Sequence, residues 1–325
     1  MTMYLAHFGL REAPFGITPD TSFFFACADY QEALNTLLVA VRNGEGFIKI
    51  TGEVGTGKTL LCRQFLASVN KERSAVAASG TEPNQAPAAA TPSGTTQRFV
   101  TAYIPNPYLT PHTLLLALAD ELGVVLEQDV DQHHLLKSLT AALLDFARQD
   151  KQVVLCLDEA QAMPLESLEA MRLLTNLETE KRKLLQIVLF GQPELNQKLQ
   201  QNSIRQLNQR ITFHHHLGPL RRDDMDYYLS HRLNVAGFQG GRLFSRRAVR
   251  QLYAASGGIP RLVNILAHKA LMLTYGEGRQ QVRARHVRAA RKDTVAAKNS
   301  LWRWWVMAAA LLLIAGSTLG WVVLR

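Results

Sequence analysis

The apolar residues of this chain fall into two patterns, and their alternation predicts the fold. Short runs read as strands: Phe47–Thr51, Arg98–Ile104, Val153–Leu157, Leu185–Phe190 and Ile211–Leu217. Val153-Val154-Leu155-Cys156-Leu157 is apolar at every position rather than at alternate ones, which fits a parallel strand covered on both faces. Between the runs, apolar residues recur at helical spacing. Ala33, Leu34, Leu37, Leu38 and Val41 share one face, Leu60 to about Val69 forms a second helix, and further helices are predicted near 111–122, 131–149 and 167–177. Strands alternating with helices give a three-layer α/β arrangement around a parallel sheet. From Leu220 to about Thr294 the pattern is helical only.

These patterns divide the chain into a sheet-bearing domain over 1–219 and a helical lid over 220–294. A basic juxtamembrane segment follows over 295–303, then an apolar stretch over 304–324. The first 46 residues form a lead-in with an aromatic cluster, Phe23-Phe24-Phe25. From Ser74 to Thr96 the residues are mainly Ala, Pro, Ser, Thr and Gly with one charged residue, Glu82. Such a composition cannot bury a core and is expected to be a flexible surface insertion.

Trp304–Leu324 carries no charged residue, a length that suffices for one transmembrane helix. Trp302, Trp304, Trp305 and Trp321 stand at its two ends, as an aromatic belt would. Arg279, Arg283, Arg285, Arg288, Arg291, Lys292, Lys298 and Arg303 precede it against one acid, Asp293. By the positive-inside rule the expectation is a single-pass inner-membrane protein with its body cytoplasmic and its C-terminus outside the cytoplasm. Only Arg325 follows, so no domain beyond the membrane is expected, and no signal peptide is read at the N-terminus. Three cysteines without metal spacing (Cys27, Cys62, Cys156) fit a reduced compartment without disulfides. The formal charge of +9 admits an anionic membrane or nucleic acid as partner.

Chemistry concentrates in two places. Gly52-Glu53-Val54-Gly55-Thr56-Gly57-Lys58-Thr59 meets the P-loop pattern at every fixed position, with a strand before it and a helix after it. Glycines let successive backbone N–H groups face phosphates, and the new helix adds its positive N-terminus. Lys58 is expected on the β- and γ-phosphates of ATP, and Thr59 on Mg²⁺. The second place is Asp158-Glu159, at the carboxyl end of an apolar strand, where ligands of parallel sheets sit. There Asp158 is expected to hold Mg²⁺ through its water shell, and Glu159 to orient or deprotonate the attacking water.

Together these residues resemble the AAA+ ATPases, and within them the branch of assembly ATPases serving type II secretion and the mannose-sensitive haemagglutinin pilus. The resemblance covers roughly residues 3–294. It rests on Tyr4-Leu5, Phe8-Gly9-Leu10, Pro14-Phe15, Gly46-Phe47, Gly52–Thr59, Leu157-Asp158-Glu159-Ala160-Gln161, Gly191-Gln192-Pro193-Glu194-Leu195, Leu207-Asn208-Gln209-Arg210-Ile211 and Gly257-Gly258-Ile259-Pro260-Arg261. It implies an ATP hydrolase that works as a homo-oligomer with pilus or secretion-system assembly proteins. It also implies roles by position: Gln192 as the sensor of the γ-phosphate or a strand cap, Arg210 as the finger reaching a neighbour's nucleotide, with Arg205 its rival, and Arg261 as a second sensor. The alternative is a nucleic-acid-associated AAA+ ATPase of the transposition type. The apolar span argues against it, so nucleic acid is not the expected partner.

Other features carry less. Phe8 and Phe15 either pack adenine or form core. His214-His215-His216 lies on a strand, where alternate side chains face opposite ways, so the three cannot converge on a metal. His133-His134 is likewise not expected to bind one. Gly316 and Gly320 form a small-residue motif that could pack two spans together.

Overall fold

A computed structural model describes residues 3–78, 99–127, 130–174, 176–178 and 182–294. The helices, in chain order, are α1 (Leu5–Phe8), α2 (Ala28–Arg42), α3 (Lys58–Ala78), α4 (Pro111–Glu121), α5 (Gln132–Arg148), α6 (Leu165–Leu174), α7 (Glu194–Leu199), α8 (Arg205–Gln209), α9 (Asp224–Val235), α10 (Arg246–Ser256), α11 (Pro260–Gly276) and α12 (Ala284–Lys292). The strands are β1 (Phe47–Gly52), β2 (Phe99–Ile104), β3 (Gln152–Leu157), β4 (Leu185–Gly191) and β5 (Ile211–Leu217). The described residues divide between two compact units, those within 26–218 and those of 3–25 with 219–294.

The first unit is built on a sheet of order β2-β3-β4-β1-β5, parallel at every pairing. Its central strands are buried on both faces, as their unbroken apolar runs require. Val153, Leu155, Leu157, Ile187 and Leu189 point into one core with Leu114, Leu118, Leu139 and Leu143 of α4 and α5. Helix α3 packs against β1, β2 and β4, and α2 against β1 and β5. Fully burying one such leucine contributes about 1.5–3 kcal/mol, so each helix face is strongly committed to the sheet. Helix starts follow their caps: Thr110 accepts from the Thr113 N–H ahead of Pro111, and Asp131 from the His134 N–H at 2.8 Å. β4 lies between β1 and β3, so a strand separates the P-loop strand from the acidic one.

Two boundaries differ from the sequence reading. Helix α3 runs on to Ala78, so the insertion read from Ser74 starts later. Ala75, Ala77 and Ala78 favour helix strongly enough to extend it. Residues 79–98 lie outside the described residues. The lead-in, expected in the sheet-bearing domain, groups through residue 25 with the helical unit. Arg232 donates to the Pro14 carbonyl at 2.6 Å, the Tyr4 hydroxyl meets His268 Nδ1 at 2.8 Å, and Phe15 stacks edge-on against Phe244. Phe8 and Phe15 are therefore core residues of that unit. Two short helices, α7 and α8, add to the predicted set, each too brief to show a period in the sequence.

The span expected over 304–324 lies outside the described residues, with the basic segment 295–303. Among the described residues no helix is long and apolar enough to cross a membrane.

Candidate functional site

The parallel sheet brings the carboxyl ends of β1, β3 and β4 to one edge, where both motifs converge. The loop from Gly52 to Gly57 turns directly into α3, whose first residues are Lys58 and Thr59. Its shape depends on glycine. Gly57 stands at φ +100°, where an L side chain is strained, and a Cβ there would collide with the Tyr30 hydroxyl. A Cβ on Gly52 would come within 2.7 Å of the Leu217 carbonyl of β5. Tyr30, buried on α2, donates its hydroxyl to the Thr56 carbonyl, and Thr56 donates to the Glu53 carbonyl at 2.9 Å. The loop is thus pinned from a neighbouring helix and from within.

Lys58 is buried, with Nζ donating to the Gly52 carbonyl at 2.8 Å and the Glu53 carbonyl at 3.0 Å. Burial lowers its pKa, opposed by Glu159 and Asp158. The ammonium is held on its own loop, at the point where phosphate oxygens would compete for it. Thr59 Oγ1 donates to Asp158 Oδ2 at 2.6 Å, which joins the two motifs directly. Asp158 is buried, and its other oxygen accepts from the Glu159 N–H at 3.0 Å. Burial raises the Asp158 carboxyl above its usual range, partly countered by these two donors. A paired hydroxyl and carboxylate of this kind are the hard oxygen donors that Mg²⁺ favours.

Glu159 sits in the left-handed region, at φ 53° and ψ 37°. Such a backbone is uncommon for a non-glycine residue and turns the side chain out of the strand direction. Gln192, just past β4, donates Nε2 to Glu159 Oε2 at 3.1 Å. The structure therefore brings Gly52–Thr59, Asp158, Glu159 and Gln192 together.

Arg210 is not among them. β5 runs parallel to β1, with Ile211 beside Phe47 and Leu217 beside Gly52. Arg210 precedes Ile211, so a strand of seven residues, about 20 Å, separates it from its own P-loop. It is half-buried and donates to the Arg172 carbonyl at 3.4 Å, while Arg205 is exposed on α8. Arg261 belongs to the helical unit, exposed on the first turn of α11 after Pro260. His215 pairs with Asp29 at 2.9 Å, His216 Nδ1 lies 3.3 Å from Thr51, and no group of three metal-binding side chains occurs among the described residues. His133 and His134 are exposed, with His134 capping onto Asp131.

Sequence reasoning missed three residues of this site. Tyr30 braces the P-loop. Tyr103 places its hydroxyl 3.5 Å from Asp158 Oδ2, and burial pushes that phenol to about 12. Gln161 reaches the Glu159 carboxylate. Only Gln161 left a trace in the sequence, as the last residue of Leu157–Gln161.

Residues 41–199 match the AAA domain family. General secretion pathway protein A of Aeromonas hydrophila is 39% identical over 280 residues, covering 86% of this chain. The chain spans about half, 46%, of that relative's length. Among solved structures, the Aeropyrum pernix ORC1 protein in complex with DNA aligns at a TM-score of 0.60 and 18% identity, over 87% of this chain and 69% of that one. The Walker-type ATPase PABY2304 of Pyrococcus abyssi aligns at 0.54 and 14% identity, over 94% and 80%. At such identities the likeness is one of fold.

Proposed function

We propose, from the premise that this chain is an AAA protein related to general secretion pathway protein A, that it hydrolyses ATP to drive assembly of a cell-envelope machine. The observation that carries the hydrolytic part is the 2.6 Å contact of Thr59 with Asp158, with Glu159 next along the chain. The P-loop N–H groups and Lys58 bind the phosphates, and Gln192 faces the γ-phosphate. Thr59 and Asp158 would hold Mg²⁺, which when bound neutralises charge on the phosphate oxygens. Glu159 orients a water and takes its proton as the water oxygen attacks the γ-phosphorus. The bond from that phosphorus to the β,γ-bridging oxygen breaks, releasing ADP and phosphate.

The partners we propose are further copies of this chain and the assembly proteins of a pilus or secretion system. The helices after Leu220 act as a lid bearing Arg261, and the apolar stretch 304–324 anchors the chain in the inner membrane. A periplasm-dependent reporter fused after Arg325 should be active, and full-length chain that stays soluble after detergent-free lysis would sink the anchoring.

The hydrolytic reading is tested by Glu159→Gln, which keeps the shape and removes the base. The variant should bind ATP as the parent does and lose at least about 100-fold in turnover, within the range for a general base. Lys58→Ala should instead weaken nucleotide binding. Turnover untouched by Glu159→Gln would refute the assignment.

A further inference from the structure

A short turn follows β3, and within it the Gln161 side chain makes two contacts in opposite directions. Its Nε2 donates to Glu159 Oε2, and its Oε1 accepts the Gln192 backbone N–H at 2.9 Å. Gln192 in turn donates its own Nε2 to the same Glu159 oxygen. Two amides thus converge on Oε2, and one of them is locked to the end of β4. Oε1 takes neither donor. The turn itself is strapped down by Lys198 of α7, whose Nζ donates to the Gln161 and Met163 carbonyls at 2.6 Å each. Gly191 lies close against this pair: a Cβ there would come 3.3 Å from Gln161 Oε1 and 2.8 Å from the end of the Leu195 side chain, which would have to shift.

A carboxylate on a two-carbon stem has several rotamers, and only some point an oxygen toward a water beside the γ-phosphate. Fixing Oε2 with two donors selects one of them and leaves Oε1 to meet the water. We propose that Gln161 is a positioning residue that aims Glu159, and that Gln161 and Gln192 form one linked amide pair through which the end of β4 governs the Glu159 carboxylate. The inference rests on the reading of Glu159 as the base. Gln192 is shared between Glu159 and the place of the γ-phosphate, so a nucleotide that draws Gln192 away leaves Gln161 as the group that keeps Glu159 aimed. Gln161 acts in the hydrolytic step rather than in binding, because neither of its contacts reaches the P-loop.

The test compares three variants of the full-length chain by steady-state and single-turnover hydrolysis, with fluorescent ATP-analogue binding alongside. Gln161→Glu keeps an oxygen to accept from Gln192 and loses the donor to Glu159. Gln161→Met keeps the length and loses both contacts. Both should lower kcat by about 10–100-fold, the range for groups that orient a reacting side chain, with KM and analogue affinity within about twofold. A residue that merely pinned the end of β4 would behave differently: Gln161→Met would be impaired and Gln161→Glu near normal. Combining Gln161→Met with Glu159→Gln should be no slower than Glu159→Gln alone, since a residue acting through Glu159 has nothing left to position. Near-normal kcat in Gln161→Glu, or a further loss in the double variant, would overturn the proposal. If Glu159→Gln itself turned over normally, the base reading would fail instead, so the two failures are distinct. Should Gln161→Glu not fold, as judged by circular dichroism, the Gln161→Met comparison and the double variant decide alone.

Discussion

Asp158 shows how a functional residue works against the stability of the protein that carries it. Desolvation raises its carboxyl above the usual carboxylate range, with the Thr59 hydroxyl and Glu159 N–H pulling the other way. The folded state therefore favours the protonated acid. Stability from this group is fully present below the unfolded pKa and is lost as pH rises through the folded one. The Thr59 hydroxyl, the Glu159 N–H and Lys58 offset that desolvation only in part. Asp158→Asn is expected to raise the melting temperature of nucleotide-free protein at pH 8 by a few degrees, with a smaller gain at pH 4. The added stabilisation that Mg²⁺ with ATP gives the parent should be lost in the variant. Scanning calorimetry at the two pH values checks this, and a variant less stable than the parent at both would contradict it.

At the scale of elements, the P-loop is a joint between four of them: β1, α3, α2 and β5. Tyr30 ties α2 to the loop through the Thr56 carbonyl, and Asp29 beside it accepts from His215 and from the Gly218 N–H at 2.9 Å. Tyr30→Phe removes one buried hydrogen bond, which should cost about 1 kcal/mol of stability and weaken nucleotide binding several-fold. Gly57→Ala should abolish binding, since both the backbone and the space forbid the methyl group. Urea melts and analogue titrations measure both effects, and parent-like binding by Gly57→Ala would show that the loop is less constrained. Strand, loop and helix are legible in the sequence because each is written in a few consecutive residues, as Gly52–Thr59 and Val153–Glu159 are. Tyr30 and Tyr103 are not, because their contacts span distant positions and a lone tyrosine has no period or motif. The lead-in departs from its expected grouping for the same reason. Tyr4 and Pro14 look alike whichever distant partner they meet, and the partners are His268 and Arg232.

At the scale of the whole molecule, Arg210 and the P-loop occupy opposite ends of one sheet, so a chain cannot bring its own Arg210 to its own nucleotide. If Arg210 completes a neighbour's site, Arg210→Ala and Glu159→Gln chains should each be inactive and their mixture partly active, because some interfaces pair an intact finger with an intact pocket. Phosphate release from mixed chains reads this out. Normal hydrolysis by Arg210→Ala alone would move attention to Arg205. The strand order has another consequence, for how the chain is born. β1 leaves the ribosome early, yet its two neighbours in the sheet are β4 and β5, which come last. At ~5–20 residues per second, the P-loop strand waits on the order of ten seconds for Leu185–Gly191 and Ile211–Leu217 to emerge. During that interval the nascent chain exposes an unpaired apolar strand and has no frame for phosphate. Competence to hold nucleotide is therefore acquired late in synthesis, once β4 and then β5 have emerged to flank β1.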